Sequence, residues 1–215
     1  MSLTLYHYVH CPFCIRVRMA LGYLKQSYIS RVLPYDDEET PMKLTGVKML
    51  PALELGGKST NESLDIIALI DPKNSFKVKE TIRTAAYGEL EKLLGLLGNP
   101  VHSLAMPYWI WTPEFTPAAR KYFQEKKEKK RGPFKDLVKN QQSFIDEINP
   151  LLKKLELELK PFYQSAAFGL KDILLASHVW GLYVVPEFQF SPRVHEYLQS
   201  VKHLCSFNYH QDFWS

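Results

Sequence analysis

The hydrophobic period of the first ~70 residues changes at each turn signal, and this alternation constrains the fold more than any other feature of the chain. LTLYHYV (3–9) is rich in β-branched and aromatic residues and reads as a buried strand. CPFCIRVRMALGYLK then takes helical spacing, with Cys14, Val17, Leu21 and Leu24 on one face and Pro12 at the first-turn position that proline favours. SYISRVL (27–33) is a second strand, so strand, helix and strand with short connections predict a right-handed parallel βαβ unit. DDEETPMKLTGV reads as a short helix whose first-turn acids suit the helix dipole. MLPALELGGKST has the shape of a hairpin turning on Gly56 and Gly57, and NESLDIIALI is a helix beginning near Glu62 or Ser63.

A βαβ unit followed by ββα is the thioredoxin architecture, an α/β domain. From Ser75 onward the pattern is helical with almost no strand: KVKETIRTAAYGELEKLLGLLG, TPAARKYFQEKKEKK, PFKDLVKNQQSFIDEI, LLKKLELEL, GLKDILLASHVWGLYVV and SPRVHEYLQSVKHL. Asn149-Pro150 is expected to end or kink a helix, because proline lacks the backbone donor and disfavours helical geometry before it. Gly169 is expected as an N-cap with Asp172 three residues on. The change of period and the turn residues of DPKNS give a thioredoxin-like domain at 1–72, a linker at 73–76 and an all-α domain at 77–215.

Composition limits what such a chain can do. At 46% hydrophobic and 23% charged residues it is globular material, not a disordered polymer. The N-terminal stretch has no basic region followed by a long apolar one, and no apolar run approaches the ~18 residues of a membrane span, so a cytoplasmic protein without membrane contact is expected. The net charge of +4 is concentrated: residues 1–72 hold seven bases against eight acids, whereas residues 120–131, RKYFQEKKEKKR, hold seven against two. A run of this kind is usually a solvated helix end, and no nucleic-acid motif accompanies it, so a nucleic-acid partner is not expected.

Two of the three cysteines stand at Cys11 and Cys14, between the first strand and the first helix. In a reducing cytosol a close pair is more often catalytic, redox-sensing or metal-binding than a permanent cross-link. Structural zinc needs four ligands, and the third cysteine, Cys205, is far away in sequence on an amphipathic helix that suits a core residue. No metal is expected.

With the helix starting at Pro12, Cys11 is its cap and Cys14 lies one turn on, within reach for a disulfide. Cys11 then sits where free backbone N–H groups and the positive end of the dipole converge, which favours thiolate; Arg16 and Arg18 add charge nearby. Lowering a thiol pKa from ~8.5 to ~5.5 raises the thiolate fraction more than tenfold but costs roughly twentyfold in nucleophilicity. The gain falls on departure of the sulfur from a mixed disulfide, so the expected chemistry is a mixed disulfide at Cys11, released by an external thiol or by Cys14.

HCPFC resembles the glutaredoxin signature C-P-[YF]-C, and DDEETPMKLTGVKMLPALE, ESLDII and FTPAARKYFQEKKE resemble segments of the bacterial glutaredoxin 2 family; the likeness extends from residue 1 to about 140. The resemblance implies a glutathione S-transferase-like fold, a thioredoxin-type domain followed by an all-helical one, and glutathione-dependent thiol-disulfide exchange. It implies Cys11 as nucleophile, Cys14 as resolving thiol, and glutathione as co-substrate. Leu50-Pro51 matches the family's X-cis-Pro turn, whose backbone pairs with the cysteinyl unit of glutathione. Glu62-Ser63 matches the acidic-Ser pair at the γ-glutamyl end, a place where plain helix capping is the competing role. Phe13, standing where the family has tyrosine, lines the groove, and Lys48 meets the glycyl carboxylate. Disulfide-bonded or glutathionylated proteins are the implied substrates, and a monomer the implied state. Two other readings stay open at this stage: a glutathione S-transferase-type conjugating enzyme, and a non-enzymatic module docking a partner through residues 120–131.

Overall fold

The computed structural model describes residues 3–210; residues 1–2 and 211–215, the outer ends of the two expected domains, lie outside the described residues. Along β1 (Leu3–His7) burial alternates, with Leu3, Leu5 and His7 inside, as a strand in a half-covered sheet requires. It pairs in parallel with β2 (Ile29–Val32) and antiparallel with β3 (Ala52–Leu55), Leu5 lying opposite both Ser30 and Leu53. β3 turns through Gly56 and Gly57, both at positive φ (59° and 76°), into β4 (Lys58–Thr60), giving the order β2-β1-β3-β4. Glycine populates that region without a Cβ penalty, so the two-residue turn is written into the sequence.

Helix α1 (Pro12–Tyr23) links β1 to β2, α2 (Glu39–Thr45) precedes β3, and α3 (Ser63–Ile70) follows β4. This βαβ-ββα half matches the expected order element by element. One property of α1 differs from expectation. Cys14, Val17 and Leu21 are buried and Leu24 partly so, but Ile15, Arg16, Arg18, Met19 and Ala20 are buried as well. The reason is tertiary: α3 packs on one side of α1, while α9 (Leu170–Val179) and α10 (Pro192–Leu204) cover the other.

The helical half also contains α4 (Val78–Thr81), α5 (Ala85–Trp109), α6 (Pro117–Arg131), α7 (Phe134–Lys139), α8 (Gln141–Leu157) and a 3-10 turn, Trp180–Val184. Three boundaries depart from the sequence reading. The run expected as one helix from residue 77 breaks at 82–84, where Thr84 Oγ1 accepts the Tyr87 N–H at 3.1 Å and caps α5. The run over 133–148 breaks at Asn140 into α7 and α8. Conversely, Pro150 neither ends α8 nor starts a new helix. It lies on the exposed face, while Ile148, Leu152 and Leu155 on the opposite face are buried. Burial of three large aliphatic side chains, ~1.5–3 kcal/mol each, outweighs the ~3 kcal/mol that an interior proline costs.

Gly169 caps α9 as expected: its N–H donates to Asp172 Oδ2 at 2.9 Å. Asp172 also accepts from the Tyr163 N–H at 2.8 Å and the Tyr197 hydroxyl at 3.0 Å, so one buried carboxylate organises three segments. Cys205 is a core residue, its thiol pushed up to about 12 by burial. Its carbonyl abuts α1 so closely that a Cβ on Gly22 would fall 1.8 Å from the oxygen.

Candidate active site

Cys11 is the N-cap of α1, in extended conformation (φ −74°, ψ 123°), with its carbonyl accepting from the Cys14 and Ile15 N–H groups at 3.0 and 2.9 Å. The side chain is partly exposed, whereas Cys14, one turn on, is fully buried; both are free thiols. Their electrostatics diverge. The Cys14 thiol donates to the Cys11 sulfur, and this is the largest influence lowering Cys11 to about 7. The Cys14 and Phe13 N–H groups and the Arg16 charge act the same way, while burial opposes them. Cys14 is pushed well above the ordinary thiol range by burial and by Cys11, with the Tyr8 N–H, 3.4 Å from its sulfur, opposing. The end of the helix therefore contributes as expected, but the neighbouring thiol contributes more.

The pocket beside Cys11 has a volume of about 250 Å³ and is walled by both halves of the protein. Phe13, Lys48 and Leu50 come from the first half; His102, Trp109, Phe123 and Lys127 come from α5 and α6. The Leu50-Pro51 peptide is cis, and Leu50 and Ala52 pack with Cys14 in a small cluster that also touches Cys11. Four of the expected residues, Cys11, Phe13, Lys48 and Leu50, thus share one pocket.

Glu62 and Ser63 lie off that pocket, at the head of α3. Glu62 is exposed and holds φ +65°, a conformation uncommon for a side-chain-bearing residue. No side chain among the described residues caps α3, which leaves its first N–H groups to donate to an anion. Ser63 is buried, and its Oγ accepts from Arg16 Nη1 at 3.4 Å. Arg16 connects this end to the thiol: its guanidinium lies 4.6 Å from the Phe13 ring centroid and its charge acts on Cys11.

Lys48 is held by partners from both halves of the chain. Its ammonium lies 2.6 Å from Glu38 Oε1 and 2.9 Å from the Tyr122 hydroxyl, and Tyr122 in turn bonds to Glu38. A glycyl carboxylate would share Lys48 with that acid. The basic run of α6 is likewise not a solvated end throughout. Lys121, Lys126, Lys129 and Lys130 are exposed, but Phe123 is buried and Lys127, four residues on, faces the pocket. Arg131 Nη1 donates to Asn99 Oδ1 at 2.7 Å and Ser103 Oγ at 2.9 Å, fastening α6 to α5. Lys127 escaped the sequence reading because its charge merges with its neighbours'; its i+4 spacing from an apolar residue was the available signal.

His10 adjoins Cys11 but is buried among the rings of Tyr8, Trp109, Phe115 and Phe123, and burial lowers it to about 4. It is therefore neutral at physiological pH. Among the described residues no group of three His, Cys, Asp or Glu side chains is arranged to hold a metal, and no helix is long and apolar enough to cross a membrane.

Comparison with known proteins agrees over both halves. Residues 89–212 match the family model described as glutaredoxin 2, C terminal domain, and residues 5–75 match that of the glutathione S-transferase N-terminal domain. Glutaredoxin 2 of Escherichia coli strain K12 is 32% identical over 200 residues, covering 91% of this chain and 92% of that protein. The crystal structure of glutaredoxin 2 from Salmonella typhimurium in complex with glutathione superposes with a TM-score of 0.85 at 28% identity, covering 98% of each chain. The glutathione transferase GSTFuA3 from Phanerochaete chrysosporium shares the fold, with a TM-score of 0.72 at 14% identity over 97% of this chain and 98% of that one.

Proposed function

This chain belongs to the glutaredoxin 2 family and is a glutathione-dependent thiol-disulfide oxidoreductase, and we propose that Cys11 is its attacking thiolate and Cys14 its resolving thiol. The observation that carries this assignment is the asymmetry of the pair: a partly exposed sulfur brought to about 7 beside a buried one held protonated. Against an ordinary thiol near ~8.5, the thiolate fraction at neutral pH rises ~15-fold, while the loss of intrinsic nucleophilicity is ~5-fold. Attack gains about threefold, and departure of Cys11 from a mixed disulfide gains in addition.

In the proposed cycle the Cys11 thiolate attacks the glutathionyl sulfur of a mixed disulfide. The substrate thiolate leaves with the electron pair of the broken S–S bond and takes a proton from solvent. A second glutathione thiolate then attacks the glutathionyl sulfur on Cys11, releasing glutathione disulfide and restoring the Cys11 thiolate. With a protein disulfide, Cys11 first displaces one substrate sulfur as a thiolate and stays bonded to the other. Cys14 then loses its proton to solvent and attacks the Cys11 sulfur, and the second substrate thiolate leaves with the electron pair of the broken S–S bond and takes a proton. Glutathione reduces the Cys11–Cys14 disulfide that remains. A thiol that is protonated at neutral pH makes the first route the faster one.

For glutathione we propose the backbone at Leu50-Pro51 for the cysteinyl unit and the head of α3, Glu62 and Ser63, for the γ-glutamyl carboxylate, with Phe13 and Lys48 along the groove. The position of Leu50 in the Cys11 pocket, the uncapped N–H groups and the Arg16–Ser63 contact support this placement. A cytoplasmic monomer acting on glutathionylated or disulfide-bonded proteins, with residues 73–76 linking domains 1–72 and 77–215, completes the reading. The deciding experiment is a glutathione-coupled mixed-disulfide assay. Cys11→Ser should abolish activity and Cys14→Ser should retain much of it; equal loss in both would replace this route with a purely dithiol one.

A further inference from the structure

Lys127 is a partly buried cation whose ammonium makes no ion pair or hydrogen bond with the described residues. It stands over two rings, 5.6 Å from the centroid of Tyr35 and 5.4 Å from that of Phe123, and lines the Cys11 pocket. The other cation there, Lys48, is neutralised by Glu38. Among the described residues no carboxylate lines the pocket. His10 and His102 each stay uncharged at neutral pH because of burial, and Glu114, behind His10, pairs with His210 at 3.3 Å. Among the described residues, the Cys11 thiolate is the anion whose charge acts on Lys127, and that charge disappears when Cys11 enters a mixed disulfide.

Of the proposed glutathione contacts, Pro51, Glu62 and Ser63 lie outside this pocket and Phe13, Lys48 and Leu50 form its near wall, whereas most of its far wall comes from α5 and α6. Space next to the reacting sulfur, walled by aromatic rings and carrying one uncompensated cation, suits a group with an apolar stem and an anionic end. We propose that this pocket is the subsite for the non-glutathione half of the disulfide, and that Lys127 selects substrates with a carboxylate close to the leaving sulfur, such as an acidic residue flanking a glutathionylated cysteine. The inference rests on the glutaredoxin reading above. The chemistry is unchanged: the S–S bond breaks, the leaving thiolate carries off the electron pair, and Lys127 neutralises the carboxylate while that second negative charge forms.

The test uses three mixed disulfides of glutathione that differ only in the leaving thiol: 3-mercaptopropionate, 2-mercaptoethanol and cysteamine, ending in a carboxylate, a hydroxyl and an ammonium. Each is assayed with the parent protein, Lys127→Gln and Lys127→Arg. Taking the parent-to-variant ratio of kcat/KM for each substrate cancels the differing acidity of the leaving thiols. For Lys127→Gln, the loss on the carboxylate substrate should exceed that on the hydroxyl substrate by about tenfold, with the smallest loss on the ammonium substrate. Lys127→Arg should restore the order, and raising the salt concentration should compress it. The same loss on all three would assign Lys127 to the shared glutathione half and overturn the proposal, as would no loss on any. If the parent turned over none of them, the glutaredoxin reading would fail and this one with it; turnover of the hydroxyl substrate without charge preference would sink this one alone.

Discussion

Arg16 and His178, 162 positions apart and one from each half of the chain, meet at 3.2 Å, the guanidinium Nη2 donating to the imidazole Nδ1. Burial and the adjacent guanidinium lower His178 to about 3, so the ring is neutral and free to accept. A helical element thus fixes the direction of the cation that touches Ser63 and acts on Cys11.

Replacing Arg16 with methionine should move the Cys11 inflection above 7 and lower kcat/KM at neutral pH by up to about threefold, the gain in attack that the lowered thiol provides. His178→Leu should shift both in the same direction by less. Alkylation rate against pH reads the inflection, and an unmoved profile in both variants would refute the link.

The Cys14 thiol is the largest influence lowering Cys11, ahead of the helix end. Cys14→Ala should therefore move the alkylation inflection of Cys11 from about 7 toward the ordinary ~8.5. Cys14→Ser, which keeps a donor, should move it less. An alanine variant still titrating near 7 would return the credit to the backbone amides.

Three histidines, His10, His102 and His178, are held at about 4, 4 and 3, each chiefly by burial. In the unfolded chain they would bind protons near ~6.5, so between that pH and about 4 the unfolded state holds more protons and folding stability rises with pH. Their contribution is complete above ~6.5 and is lost as the solution is acidified through that window, by up to ~1.4 kcal/mol per pH unit for each ring. Urea unfolding at pH 7.5, 6 and 5 should show a falling midpoint, and His178→Gln should flatten the slope. A midpoint constant down to pH 5 would contradict the burial argument.

Gly22 permits contact between α1 and the end of α10, and the obstacle to any Cβ there is a backbone carbonyl that cannot swing aside. Gly22→Ala should cost at least ~3 kcal/mol and lower the melting temperature by ~6 °C or more. A melt within a degree or two of the parent would show that the two helices separate at little cost.

The contrast between the halves explains what the sequence discloses. Residues 3–70 read correctly because their signals are local: Pro12 at a helix start, Gly56 and Gly57 at a turn, a change of period at each junction. In the helical half those signals compete with packing and lose. Pro150 passes through α8 because Ile148, Leu152 and Leu155 bury the other face. Cys11 and Cys14 were visible from two letters, whereas Arg16–His178 and the approach of Lys127 to Cys11 depend on how elements far apart in sequence dock. Lys48 was read as a partner for the glycyl carboxylate of glutathione, with no sign of its pairing to Glu38, whose acidic run gave no hint of direction.

Arg18, one turn beyond Cys14 on the same helix, donates to the carbonyls of Asn208 and Tyr209 at 2.8 and 3.0 Å. Residues 208–209 are thereby tied to the helix that carries both redox sulfurs. Trimming the chain before residue 208, or fusing a bulky tag that peels this segment away, would strip two acceptors from a buried guanidinium and loosen the cysteines' scaffold from behind.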